Sequence, residues 1–456
     1  MQPFATKSPI WKGRTTIKED LFLDFIVRFS IKNDTVIGSI DIPQQNAKDI
    51  PLHDIRIEND TLFFTLKPPQ QPETLWAKYS FAYVADASSL TGSLSQAGQT
   101  FSTTLTQSKK EEETTKRPQT PQAPFPYSSK EVTYTNPNDK ATLAGTLTIP
   151  QGEGPHPVAL LITGSGQQDR DETIFAHKPF WVVADHLSRN GIAVLRVDDR
   201  GVGGSTGLSP EVTSFTFAED VSAGLDFLAQ QPEIDRKKMG LMGHSEGGLI
   251  APIVASQRSD VAFLVLLAGP GLNGLEILVQ QNYDFSIASG IEKEKTDTMI
   301  NHYRLAMQTN LSPEEEKTHA KNLISSQLAI SQQEIPEDQL ELVIQNFVDA
   351  KKSAWMQTFL TTEPAEYLKK VQAPVLALNG SLDLQVHAEK NLEAIRKALK
   401  EGGNSNFEVE KLDSLNHLFQ QSETGLVEEY GAIEETIHPS VLERVLNWIQ
   451  QQTTAK

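Results

Sequence analysis

One stretch limits what this chain can fold into more than any other: residues 238–255, KMGLMGHSEGGLIAPIVA. Lys238 to Met242 reads as an apolar strand and Leu249 to Ala255 as an apolar helix. Between them, Gly243-His244-Ser245-Glu246-Gly247 spells G-x-S-x-G. A chain that passes from strand to helix through so short a turn needs small residues on both sides of the serine, because a Cβ there would meet the crossing backbone. Such an elbow lifts the serine Oγ out at the end of a sheet and leaves the following N–H free to face an oxyanion. A plain glycine-rich turn also spells these five letters, so the chemistry has to be argued from the rest of the chain.

At 456 residues the chain exceeds one ordinary core, and two or three domains are expected. Net charge is −18, from 41 basic and 59 acidic residues, with no basic cluster. Binding a nucleic-acid backbone requires concentrated Lys and Arg, so that class is disfavoured. The absence of cysteine excludes disulfides, thiolate nucleophiles and Cys-ligated metals, and fits a cytoplasmic or an exported protein equally. The longest apolar run, Val261 to Ala268, is far short of a membrane span. The first twenty residues hold no hydrophobic signal core, as in a mature exported or periplasmic chain whose signal peptide is absent, or else a cytoplasmic one. Nothing in the sequence bears on oligomeric state.

Residues 1–106 read as an all-β accessory domain, a small barrel or sandwich. Leu21, Leu23, Phe25, Val27, Phe29 and Ile31 alternate with mostly polar neighbours. Short strands are expected at Thr35 to Ile42, His53 to Ile57, Leu62 to Leu66, Ala77 to Val84, Leu90 to Ser95 and Phe101 to Leu105. Val36-Ile37-Gly38-Ser39-Ile40 and Leu90-Thr91-Gly92-Ser93-Leu94 repeat one pattern, which hints at a symmetric meander. Residues 107–126, charged and then Pro-rich, read as a linker.

From Glu131 strands and helices alternate, the rhythm of a doubly wound, mostly parallel α/β sheet. This core is expected over 127–271 and 365–456. It includes a helix from Phe217 to Gln230 that opens with a capping box of Thr216 and Glu219. The intervening 272–364 are polar and helical in pattern, a helical cap above the carboxyl ends of the strands.

A serine hydroxyl is a weak nucleophile until a base takes its proton, and the base needs a third group to hold its tautomer. After Ser245, Asp383 follows a buried strand, where an orienting acid belongs. His417 follows the next strand and has the chain order of a base. His387, four residues after Asp383 at a helix start, is its rival, while His302 and His319 fall in the cap and His438 before the last helix. The oxyanion needs two backbone donors. Glu246 N–H is one candidate, and Ser165 N–H, in Thr163-Gly164-Ser165-Gly166, is the other. The glycine-rich loop Asp199 to Ser205 fits no phosphate-binding spacing and reads as packing beside the elbow. No spacing supports a metal.

These residues resemble the α/β-hydrolase superfamily, nearest to bacterial carboxylesterases grouped with serine aminopeptidases. The resemblance rests on Thr163 to Gly166 through Asp169-Arg170-Asp171, Asp198 to Ser205, Gly243 to Gly248, Asn379-Gly380 with Asp383 and Val386, and Asn416-His417, within residues 130–450. It implies Ser245 as nucleophile, Asp383 as acid, His417 as base, and a cofactor-free esterase acting on small short-chain acyl esters. It also implies that Trp355 and Phe359, near the end of the cap, lie at the acyl pocket. Many members carry His-Gly where this chain has Thr163-Gly164, a change that keeps the backbone donor. Residues 1–106 are similar to accessory domains of exported bacterial esterases. Two other readings stay open: an aminopeptidase or amidase with the same three residues, in which cap acids such as Glu314 to Glu316 would meet a free amino group, and a non-catalytic ligand-binding protein on this scaffold.

Overall fold

The computed structural model describes residues 10–18, 21–32, 35–42, 47–67, 76–82, 88–96, 98–108, 115–332 and 334–454. The chain divides into two compact units, Met1–Lys116 and Arg117–Lys456.

The first unit is a closed barrel of eight antiparallel strands in sequence order. They are β1 (Ile10–Lys18), β2 (Leu21–Lys32), β3 (Thr35–Ile42), β4 (Ala47–Glu58), β5 (Thr61–Leu66), β6 (Ala77–Ala82), β7 (Ser89–Gln96) and β8 (Gln99–Ser108), with β1 pairing back onto β8. Closure removes the exposed edges that an open sheet presents. The interior is filled by side chains: Phe25 packs on Tyr79 at 5.3 Å between ring centroids, Tyr79 on Phe64 at 4.8 Å, and Phe64 on Phe81 at 5.7 Å. The two similar pentapeptides lie on β3 and β7, and in each the glycine faces an aromatic on the preceding strand, Gly38 opposite Phe29 and Gly92 opposite Phe81. A third glycine–aromatic pair joins Gly13 to Phe25 on the following strand, where a Cβ would lie 2.0 Å from Phe25 Cε2. The ring covers the bare glycine backbone of its neighbour. Strand β1 lies outside the strands expected from the sequence because its inward residues are Trp11, Gly13 and Thr15, which show no apolar alternation. Tyr83 and Val84, expected at the end of β6, lie outside the described residues, as do 109–114 of the expected linker.

The described remainder of that linker divides between the two units, and 115–126 are turns and irregular chain. Gln107 and Ser108 complete β8, and the second unit begins at Arg117. The Arg117 guanidinium donates to the carbonyls of Phe175, Gly431 and Ile433 at 2.7–2.9 Å, and the Gln119 amide donates to that of Ile437.

The second unit is built on an eight-stranded sheet: β9 (Tyr127–Thr135), β10 (Thr142–Pro150), β11 (His156–Ile162), β12 (Ala193–Val197), β13 (Ile234–His244), β14 (Phe263–Leu267), β15 (Val375–Gly380) and β16 (Phe407–Leu412). Their order is β16-β15-β14-β13-β11-β12-β10-β9; β10 runs against both neighbours and the other pairs are parallel. Both faces are buried, which is why the central strands read as unbroken apolar runs. On β11, Val158, Leu160 and Ile162 face one core with α2 (Ser214–Leu228), α3 (Gly247–Ala255) and α10 (Ala388–Glu401). Ala159 and Leu161 face the other, with α1 (Pro179–Arg189) and α12 (Pro439–Thr454). Each fully buried Leu, Val or Phe contributes roughly 1.5–3 kcal/mol.

The α2 helix starts one turn earlier than the expected Phe217. Its N-cap is Thr213, whose N–H donates to the Thr216 hydroxyl at 3.2 Å, so Thr216 closes the capping box rather than opening it. Between β14 and β15 the chain forms α4 (Gly274–Ala288), α5 (Lys293–Ala306), α6 (Pro313–Ser331), α7 (Glu337–Lys351), α8 (Ala354–Thr361) and α9 (Pro364–Leu368). A buried ion pair ties α6 to α7, with the Glu316 carboxylate 3.0 Å from Lys351 and 2.6 Å from Lys352. The short α11 (Val427–Tyr430) precedes α12. No helix among the described residues is long and apolar enough to cross a membrane.

Candidate active site

Ser245 follows β13 with φ at +52°, a left-handed backbone that costs a non-glycine residue about 1–3 kcal/mol. The flanking glycines make that turn possible. A Cβ on Gly243 would lie 2.0 Å from the Gly247 carbonyl oxygen, and one on Gly247 would lie 2.1 Å from that of Ile162. The Ser245 N–H donates to Leu267 on the neighbouring strand at 2.9 Å, which anchors the elbow to the sheet.

Asp383 and His417 come from the loops after β15 and β16. Gly380 lets these loops meet, since a Cβ there would lie 2.1 Å from the Leu415 carbonyl oxygen. Asp383 is buried and fully solvated by donors: Oδ1 accepts from the N–H groups of Gln385 and Val386 at 2.8 Å each, and Oδ2 from His417 Nδ1 at 2.8 Å. Because a carboxylate accepts, His417 Nδ1 carries the hydrogen and Nε2 is left as the basic nitrogen. Buried Asn416 shapes the turn that presents His417, its Oδ1 accepting from the N–H groups of Leu418 and Gln420.

Glu246, after the serine, is 2% exposed and points its carboxylate away from solvent. It accepts from the Ser214 hydroxyl at 2.6 Å and the Trp355 indole N–H at 2.9 Å. The elbow thereby holds α8 in place, and the Trp355 ring stacks on Phe359 at 5.3 Å with planes 6° apart. On the other side of the serine, His244 is buried between Glu172 and the His417 carbonyl. Glu172 also takes the Gly164 N–H at 2.8 Å. Beneath this loop Asp199 accepts from the Thr163 hydroxyl and the Gln168 N–H. Burial dominates over those two donors and, with the charges of Glu172 and Glu246, pushes the Asp199 carboxyl up to about 7.

Ser245, His417, Ser165, Glu246, Trp355 and Phe359 line one cleft of about 250 Å³, walled also by Ile277, Leu278 and Gln281 of α4. His387 precedes α10 and is absent from that lining, while His302 and His319 lie on α5 and α6. Glu314 to Glu316 stand in the first turn of α6, where Glu315 caps Ser312 and Glu316 meets its lysines. In the loop from Asp199 to Ser205, Arg200 is buried in a two-point contact with Asp220 at 2.6 and 2.7 Å, and a Cβ on Gly203 would lie 2.2 Å from Asp198 Oδ2. Sequence reasoning did not single out Glu172, His244 or Ser214; only His244, inside the pentapeptide, stood beside a chemical signal.

The family model for serine aminopeptidase, S33, matches residues 179–421, more than half of the chain. Esterase EstD of Thermotoga maritima is 27% identical over 281 residues, a match covering 62% of this chain and 59% of EstD, so the chain spans less than two thirds of that relative. Among solved structures, an esterase of Pyrococcus furiosus aligns over 75% of this chain and 99% of its own, with 15% identity and a TM-score of 0.44. The α/β hydrolase GrgF from Penicillium aligns over 73% and 100%, with 17% identity and a TM-score of 0.44. With its elbow on the central strand of a mostly parallel sheet and the family model spanning that elbow and both following loops, the chain belongs to the serine aminopeptidase S33 family of α/β hydrolases.

Proposed function

We propose that this protein is a serine carboxylesterase that cleaves short-chain acyl esters through Ser245, His417 and Asp383. The observation that carries the reading is the buried His417–Asp383 contact at 2.8 Å, opening on the same cleft as the left-handed Ser245. His417 Nε2 takes the Ser245 proton as Oγ attacks the ester carbonyl, and the oxyanion accepts from the N–H groups of Ser165 and Glu246. Gly164 cannot serve, because its N–H is already given to Glu172. His417 then protonates the leaving alkoxide. Water attacks the acyl-serine, gives its proton to His417, and the acid departs as Ser245 recovers its hydrogen. Asp383 stays ionised throughout and holds the imidazole.

A neutral ester fits the cleft better than an aminoacyl substrate. The carboxylates in its lining are turned inward: Glu246, 2% exposed, accepts from Ser214 and Trp355, and Glu172, 5% exposed, shares Oε1 between Gly164 and His244, so neither stands open to an ammonium group. The stacked Trp355–Phe359 wall supplies an apolar surface for the acyl chain. Ser245→Ala is expected to lower turnover of p-nitrophenyl butyrate by on the order of 10⁴-fold or more. Wild-type turnover of aminoacyl anilides should be negligible beside it. Retained ester hydrolysis in Ser245→Ala, or a preference for the anilides, would contradict the proposal.

A further inference from the structure

We infer that Glu172 and His244 are positioning residues, one acid–histidine pair that ties the loop of the base to the loop of the oxyanion donor across the nucleophile. The inference rests on the esterase reading above. It adds two residues that act on His417 and Ser165 without touching substrate. Glu172 precedes the segment that the family model matches, and His244 lies within it.

The geometry is a chain of three hydrogen bonds. Glu172 Oε1 accepts from Gly164 N–H at 2.8 Å and from His244 Nδ1 at 2.9 Å. His244 Nε2 lies 3.0 Å from the His417 carbonyl oxygen. Glu172 is 5% exposed and His244 7%, so both are shielded from water. The Glu172 backbone is left-handed, with φ at +52°, and Asp169 fixes that turn by accepting at Oδ1 from the N–H groups of Asp171 and Thr173. A strained residue held so firmly is what a side chain with a fixed task requires.

Proton counting sharpens the assignment. A carboxylate and a carbonyl oxygen both accept, so both ring nitrogens of His244 must carry hydrogen, and the ring is an imidazolium. Burial alone would push its titration down, but the Glu172 carboxylate, the His417 carbonyl and the Asp383 charge outweigh burial and raise it. The charged groups around the pair are Asp383 and His417 on the His244 side and Asp199 on the Glu172 side. The His244 ring lies 4.8 Å from that of His417, tilted by 46°. Glu172 balances the charge while aligning Gly164 and, with it, the next N–H at Ser165.

The test compares wild type, His244→Gln, Glu172→Gln and Ser245→Ala on p-nitrophenyl butyrate from pH 5 to 9. Misplacement of the base and the donor should lower kcat on the order of 100-fold in His244→Gln and Glu172→Gln, with KM little changed. Wild-type kcat in both variants overturns the inference, as does a loss carried by KM instead of kcat. Nitrogen NMR of histidine-labelled wild type decides the point without any variant: one ring should stay protonated at both nitrogens to higher pH than the other histidines, and its absence overturns the inference. If instead Ser245→Ala hydrolyses the ester like wild type, the esterase reading falls, and the NMR result still judges the pair.

Discussion

At Ser245 the backbone turns left-handed, and the glycines two positions away on each side are what allow it. Gly247→Ala would drive a Cβ to within 2.1 Å of the Ile162 carbonyl oxygen. It should cost about 1–3 kcal/mol, the range of overpacked cores, and lower ester turnover together with the melting temperature. A variant with wild-type melting and turnover would contradict the steric account. Asp199 makes a prediction of a different kind. Burial holds its folded carboxyl at about 7, above the ordinary range near 4. The folded state therefore keeps a proton that the unfolded state releases, a contribution to stability present below about pH 4 and lost as pH rises through about 7. Melting temperature should fall more steeply between about pH 4 and 7 in wild type than in Asp199→Asn; parallel profiles would contradict the assignment. Ser245, Asp383 and His417 could be proposed from sequence because each follows a strand of the sheet in a fixed chain order. Glu172 could not, because it sits in an irregular loop with no periodicity and meets His244 only in three dimensions.

The elements follow the same division. Strands buried on both faces, such as β11 and β14, were legible as apolar runs, and β2 was legible by alternation. Strand β1 was hidden because two of its inward residues are Gly13, roofed by the Phe25 ring, and Thr15, bonded to the Thr103 hydroxyl at 2.9 Å. The start of α2 was misread by a turn because a threonine pair, not a threonine and a glutamate, closes its cap. Trp355 and Phe359 were expected near the acyl pocket from resemblance. What no pattern exposed is that Glu246, inside the pentapeptide, grips the indole and so links the elbow to α8. Trp355→Ala should remove that grip and widen the cleft, raising kcat/KM for p-nitrophenyl octanoate relative to butyrate. Each added methylene accommodated is worth roughly 1–3 kcal/mol. An unchanged ratio of the two esters would place the acyl chain elsewhere.

For the whole molecule, the barrel closes on its own aromatic stack, and every described residue that lines the cleft lies between Gly164 and Leu418. Residues 117–456 alone should therefore melt cooperatively and hydrolyse p-nitrophenyl butyrate with kcat/KM close to that of the full chain. A fragment that aggregates, or folds without activity, would give the barrel a part in building the site. The central claim, that Ser245 is a nucleophile activated by the His417–Asp383 pair, is tested most directly by labelling the full-length protein with a fluorophosphonate and mapping the adduct by peptide mass. The account predicts one adduct, on Ser245, formed orders of magnitude more slowly in His417→Ala. A protein that takes no label, or takes it on another residue, would contradict it.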